Sequence, residues 1–178
     1  AMPFALSLLT DTPSAVATPL LAVALAADEP LPDALHDLDR RLAGTLGRSI
    51  ARRDFRGGRD ETLHLAGVES AGAERVLLVG MGKVRDRGPA VRRAAAVAAR
   101  AAAKLGTGAI AFYAPALDAG GVEQAGIGLA LGAWRYDELL TPAPEAERRA
   151  PLEQGAVVAE SGADGADGAA GGVAAAEA

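Results

Sequence analysis

The chain contains no cysteine. Disulfides, thiolate metal sites and cysteine nucleophiles are therefore excluded. Aromatics are scarce as well: Phe, Trp and Tyr together make up 3% of the 178 residues. Half of the residues are nevertheless apolar, so the core must be built from Ala, Val and Leu. Lysine is nearly absent, with Lys83 and Lys104 set against sixteen arginines, and the only histidines are His36 and His64. An excess of positive charge is lacking too. The net charge of −5 argues against a dedicated nucleic-acid binder, which is usually basic. The longest apolar run, near residues 15–27, is Ala-rich and contains Pro19. It is too short and weak for a membrane span and has no basic start of a signal peptide. A cytoplasmic protein without a membrane partner fits these absences. Ala1 ahead of Met2 looks like a cloning remnant and is set aside.

What is present is an alternation of strand and helix patterns in a length that suits one domain, with a tail. Phe4–Leu9 and Leu20–Ala26 read as strands, the second buried on both faces. Pro30 and Pro32 open a helix in which Leu31, Leu35, Leu38, Leu42 and Leu46 recur at helical spacing. Asp37, Asp39, Arg40 and Arg41 then look like its solvated face. A turn at Arg56-Gly57-Gly58-Arg59 precedes a strand over Thr62–Val68. Val76–Val79 suits a central strand of a parallel sheet. Pro89 sits in the first turn of an Ala- and Arg-rich helix that stops at Gly106. A strand over Ala109–Ala114, a helix over Glu123–Leu140 and a last strand over Leu152–Ala159 complete the pattern. The expected fold is α/β, three-layer, with a mixed, mostly parallel sheet flanked by helices. Ser161–Gly172 is Gly, Ala and Asp, the composition of a linker, and Val173–Ala178 resembles the start of a further helix.

The stretch "RVLLVGMGK", residues 75–83, has the layout of a phosphate cradle: strand, glycine turn, lysine, helix. Its spacing fails both nucleotide fingerprints. A Walker loop needs four residues between its first glycine and Gly-Lys-Ser/Thr, whereas one residue separates Gly80 from Gly82 and Val84 follows Lys83. The dinucleotide fingerprint needs a glycine where Arg85 stands. The remaining reading is a tight turn at the end of a strand, with Lys83 exposed or facing a partner. His36 and His64 have no acidic neighbours at metal-ligand spacing, and no serine sits in a Gly-x-Ser-x-Gly elbow. Asp137 and Glu138 are adjacent and cannot face one site from a regular helix. No catalytic, cofactor-binding or metal-ligating residue is assigned. Arg92, Arg93, Arg100 and Lys104 could touch a phosphate backbone, but such a row is ordinarily the wet face of an Ala-rich helix. Gly128 and Gly132 allow close helix packing, and Trp134 stands beside Arg135-Tyr136-Asp137 as an anchor.

In their order, "RVLLVGMGK", the Arg-Ala helix and "GLALGAWRYDELL" resemble the amino-terminal domain of the leucyl aminopeptidase (cytosol aminopeptidase) family. There a strand ending Val-Gly-Leu-Gly-Lys precedes a helix, and a later helix carries Gly-x-x-Leu-Gly-x-Tyr-x-Phe-Asp. Leu131 to Asp137 matches that pattern, with Trp134 and Tyr136 replacing the usual aromatics. "DFRGGRDETLHL" resembles the family's Phe-x-Gly-Lys-x-Gly-Glu segment, with Gly58 where Lys is common. The resemblance implies a macro-domain-like fold in residues 1–160, a linker over 161–172, and a truncated inter-domain helix over 173–178. It implies a parent that is a hexameric metallopeptidase removing amino-terminal residues from peptides. Two divalent metals, zinc or manganese, would be held by Asp, Glu and Lys in a carboxy-terminal domain with an Asn-Thr-Asp-Ala-Glu-Gly-Arg signature. That string is absent here, and neither Lys83 nor Lys104 lies in a matching context. The expected role is therefore non-catalytic: assembly or active-site access, with its own catalytic domain and sister subunits as partners. Two alternatives stand beside it: a macro-like module binding ADP-ribose or another nucleotide near Gly80–Lys83, and DNA binding, which some bacterial relatives perform with this domain.

Overall fold

The computed structural model describes residues 4–66, 72–134 and 149–160. Six strands form one sheet: β1 (Ala5–Leu9), β2 (Leu21–Ala26), β3 (Thr62–Ala66), β4 (Arg75–Gly82), β5 (Ala109–Tyr113) and β6 (Gln154–Val158). Their spatial order is β1-β6-β5-β2-β4-β3. Every pairing is parallel except that of β3 with β4. The α-helices among the described residues are α1 (His36–Arg41), α2 (Thr45–Ala51), α3 (Arg87–Leu105) and α4 (Ala119–Ala133). Short 3-10 turns occupy Pro13–Ala15 and Asp33–Leu35.

Period-two alternation divides the strand residues between two unlike cores. On β2, Leu21, Val23 and Leu25 face a leucine-rich layer containing Leu35, Leu38, Leu42 and Leu46. Ala22, Ala24 and Ala26 face the opposite layer, where α3 and α4 contribute mainly alanines. Small side chains on both sides let that second layer approach closely. The contact between α3 and α4 is closer still. A Cβ at Gly128 would lie 2.2 Å from the Arg92 carbonyl oxygen, and one at Gly132 2.4 Å from that of Ala96. Each glycine costs helix propensity, about 1 kcal/mol relative to alanine, and the close backbone packing offsets it.

Three elements differ from the sequence expectation. The leucine-spaced helix is two helices, because Ala43 and Gly44 turn left-handed, with φ of 52° and 76°. The leucines are still buried, Leu31 only partly. Asp39 is not part of a solvated face: its Oδ1 accepts the Leu46 and Gly47 amides at 2.8 and 3.1 Å and so caps α2. Asp37 accepts from the buried Ser14 hydroxyl at 2.5 Å and pairs with Arg40 and Arg41. The last large helix begins at Ala119, not Glu123, because Asp118 caps it through the Gly121 amide at 2.7 Å, and it ends at Ala133. Residues 135–140 of the expected helix, Val68 of the expected strand, and the 161–178 tail lie outside the described residues. Finally, β4 is longer than Val76–Val79 and is not central: it lies between parallel β2 and the antiparallel edge strand β3.

Two outcomes follow from this packing. Gly128→Ala or Gly132→Ala should destabilise by about 1–3 kcal/mol, since the atoms in the way are backbone and cannot rotate aside. Gly120→Ala, at an exposed position on the same helix, should be neutral or stabilising; thermal melts separate the two cases. The Ser14 hydroxyl, then Arg40 and Arg41, hold the Asp37 carboxyl well below the usual carboxylate range. Its contribution is complete above about pH 4, the ordinary value, and drains away as pH falls from there toward the depressed folded value. Asp37→Asn should lower the melting temperature at neutral pH and flatten its decline in acid, as read by calorimetry across that range.

Candidate functional site

The stretch Gly80–Lys83 was the foremost site candidate, and its backbone is already occupied. The Gly80 amide donates to the Glu61 carbonyl at 2.8 Å and the Gly82 amide to the Gly57 carbonyl at 2.8 Å. The Asp60 amide donates to the Gly80 carbonyl at 3.1 Å, and the Ala27 amide to that of Gly82 at 2.9 Å. The two glycines lie inside β4, not in a turn beyond it, and Gly82 has φ +72° opposite a register shift in β2. A Cβ at Gly80 would lie 1.8 Å from the Gly58 carbonyl oxygen. No phosphate can use amides that a protein loop already holds. Lys83, just past the strand, is exposed, as expected.

The loop that fills the place is the "RGGRDE" turn, residues 56–61. Glu61 folds back on it, accepting the Gly58 amide at 2.8 Å and the Arg56 amide at 3.1 Å. Arg93 of α3 clasps the far side, donating to Asp60 at 3.1 Å and to the Met81 carbonyl at 3.1 Å. Sequence reading assigned neither Glu61 nor Asp60. Their signal was an acidic pair one residue after a double glycine, where unpaired loop amides need acceptors.

The other candidates remain apart. His36 is exposed, 3.7 Å from Asp33, and His64 is exposed on β3. Arg92, Arg100 and Lys104 are exposed on α3, whereas Arg93 is bound as above. Among the described residues no group of three or more His, Asp or Glu could hold a metal ion. A two-metal centre therefore does not fit them. Tyr113, fully buried at the end of β5, donates to Glu160 at 2.5 Å. Burial first, and then that hydrogen bond, push its phenol well above the usual tyrosine range, so it stays neutral.

One cavity, of about 360 Å³, opens at the carboxyl end of β2. Leu25, Ala26, Phe55 and Gly57 are its buried lining and Ile50 is half-buried, while Asp28, Glu29, Arg53 and Arg56 are exposed around them. None of these four charged residues was a site candidate in the sequence, where Arg56 reads only as part of a turn, because the two pairs lie far apart along it. The loop carrying Arg56 and Gly57 is also the one seated on β4, so the seat holds one wall of the cavity. Glu61→Gln should cost about 1 kcal/mol and speed amide hydrogen exchange at Arg56 and Gly58. Unchanged exchange there would exclude the carboxylate from that role.

The comparisons with known proteins agree with this geometry. The model of the cytosol aminopeptidase family's N-terminal domain matches residues 22–143. A probable cytosol aminopeptidase of Alkalilimnicola ehrlichii is 30% identical over 153 residues, covering 82% of this chain and 30% of its own length. The chain thus spans under a third of that relative. Among solved structures, a tomato leucine aminopeptidase variant superposes with a TM-score of 0.78 at 19% identity, over 99% of this chain and 36% of its own. A Trypanosoma brucei macrodomain in complex with ADP superposes at 0.61 and 14% identity, over 99% of this chain and 69% of its own. These two share the fold, a mostly parallel sheet between helices. The loop seated on β4 and the helix layer above it lie within the matched residues, and the chain belongs to the cytosol aminopeptidase family, whose amino-terminal domain it carries.

Proposed function

We propose that this chain is a non-catalytic accessory domain of a longer, metal-dependent aminopeptidase that removes amino-terminal residues from peptides. The observation that carries the reading is the match to an amino-terminal domain by a chain spanning 30% of the relative's length. Residues 1–160 form the accessory domain, 161–172 a linker, and 173–178 the start of an inter-domain helix. Peptide hydrolysis falls to a separate catalytic domain with two divalent metals, zinc or manganese. The lack of a metal-ligand group among the described residues supports that division. The domain's work is assembly or active-site access, with the catalytic domain and sister subunits of a homo-oligomer as partners, in the cytoplasm. Leu131 and Trp134, 62% and 69% exposed at the end of α4, supply apolar surface of the kind interfaces cover.

The ADP-bound macrodomain favours a second reading, nucleotide binding. The commitment of the Gly80 and Gly82 amides to the 57–61 loop weighs against it at the place the sequence suggested. Incubating residues 1–178 with a leucine amide substrate and manganese or zinc tests the first reading. The expected result is no turnover above the protein-free rate, and clear turnover would overturn the non-catalytic assignment.

A further inference from the structure

The cavity beside β2 has a lining whose charges cancel. Arg53 and Arg56 stand against Asp28 and Glu29, and these are all its charged residues. None of the four side chains has an ion-pair or hydrogen-bond partner among the described residues. Two of the four, Asp28 and Arg53, hold left-handed backbone, with φ of 61° and 62°. Such conformations persist where surrounding structure enforces them, and they cluster at binding sites. Between the charges lies apolar surface from Leu25, Ile50 and Phe55.

The cavity opens at the carboxyl end of β2, the end of the strands outside which open α/β sheets bind ligands. The volume of about 360 Å³ is at the small end of ligand pockets.

Balanced charge selects the ligand class. A nucleotide's phosphates would meet two carboxylates, and a cation two guanidinium groups. A zwitterion meets both signs favourably. We propose that the cavity binds a small zwitterion of the α-amino-acid type, free or as a dipeptide, with an apolar side chain. Its carboxylate faces Arg53 and Arg56, its ammonium faces Asp28 and Glu29, and its side chain lies on Leu25, Ile50 and Phe55. The inference stands on the cavity's own chemistry and needs no catalytic domain.

Titrating residues 1–178 with leucine and with Leu-Leu, by calorimetry and by amide NMR spectra, tests it. The expected result is binding of one or both, with shifts centred on Leu25, Ile50 and Phe55; the tighter of the two identifies the source. N-acetyl-leucine, leucinamide and glycine should each bind at least about tenfold more weakly, the loss of one charge-assisted contact or of the apolar one. The double variants Arg53→Ala/Arg56→Ala and Asp28→Asn/Glu29→Gln should weaken binding by a similar factor. All four side chains are exposed, so thermal melts should match the parent's. The proposal is overturned if neither ligand shifts those amides at millimolar concentration. Unchanged affinity in both double variants, or tighter binding of ADP at the same residues, would overturn it as well.

Discussion

Backbone against backbone, without an intervening Cβ, is the constraint on which the carboxyl end of this sheet depends. The loop at residues 56–61 lies directly on the last residues of β4, where three hydrogen bonds tie it, and a fourth joins Gly82 to Ala27 just past β2. Gly80 is required because any side chain would enter the Gly58 carbonyl. Buried amides and carbonyls must find partners, and here they find each other. The seat has three consequences. It starts the antiparallel edge strand β3 in register, it gives Arg93 of α3 a carbonyl and a carboxylate to hold, and it sets one wall of the cavity beside β2.

The second organising feature is the unequal thickness of the two cores. One face of the sheet carries leucines on short helices, the other alanines on long ones. A chain with so few aromatics cannot fill wide spaces, so it narrows them. Gly128 and Gly132 let α4 settle against the α3 backbone, and dispersion contacts at that distance stand in for side-chain bulk. The abundance of alanine thus has a packing consequence.

Much of the fold was legible in the sequence because its signals are local. All six strands have counterparts in apolar runs bounded by Gly, Pro or charge. Gly106 stops α3 in a left-handed conformation, as a glycine after a helical run does. The misjudged places differ in cause. At the break of Ala43-Gly44, Asp39 caps amides seven and eight residues on, a target only the folded chain identifies, whereas Asp118 caps the amide three residues on, a local signal that sequence reading passed over. The glycines of β4 look like a turn until the loop from another segment is laid on them. Family membership was legible for a different reason: it rests on the order of several motifs, and order survives where any one motif is weak.

By itself, the sequence determined the fold class, the division into apolar strands and helices, the absence of thiol chemistry, and the landmarks of the family. Those follow from residue type and periodicity, which act over a few neighbours. Only the tertiary structure decided that β4 lies beside an antiparallel edge, that the glycine stretch is filled by protein, and that Asp28 and Glu29 meet Arg53 and Arg56 around one cavity. These depend on which distant segments the sheet order brings together, and no local pattern encodes that meeting.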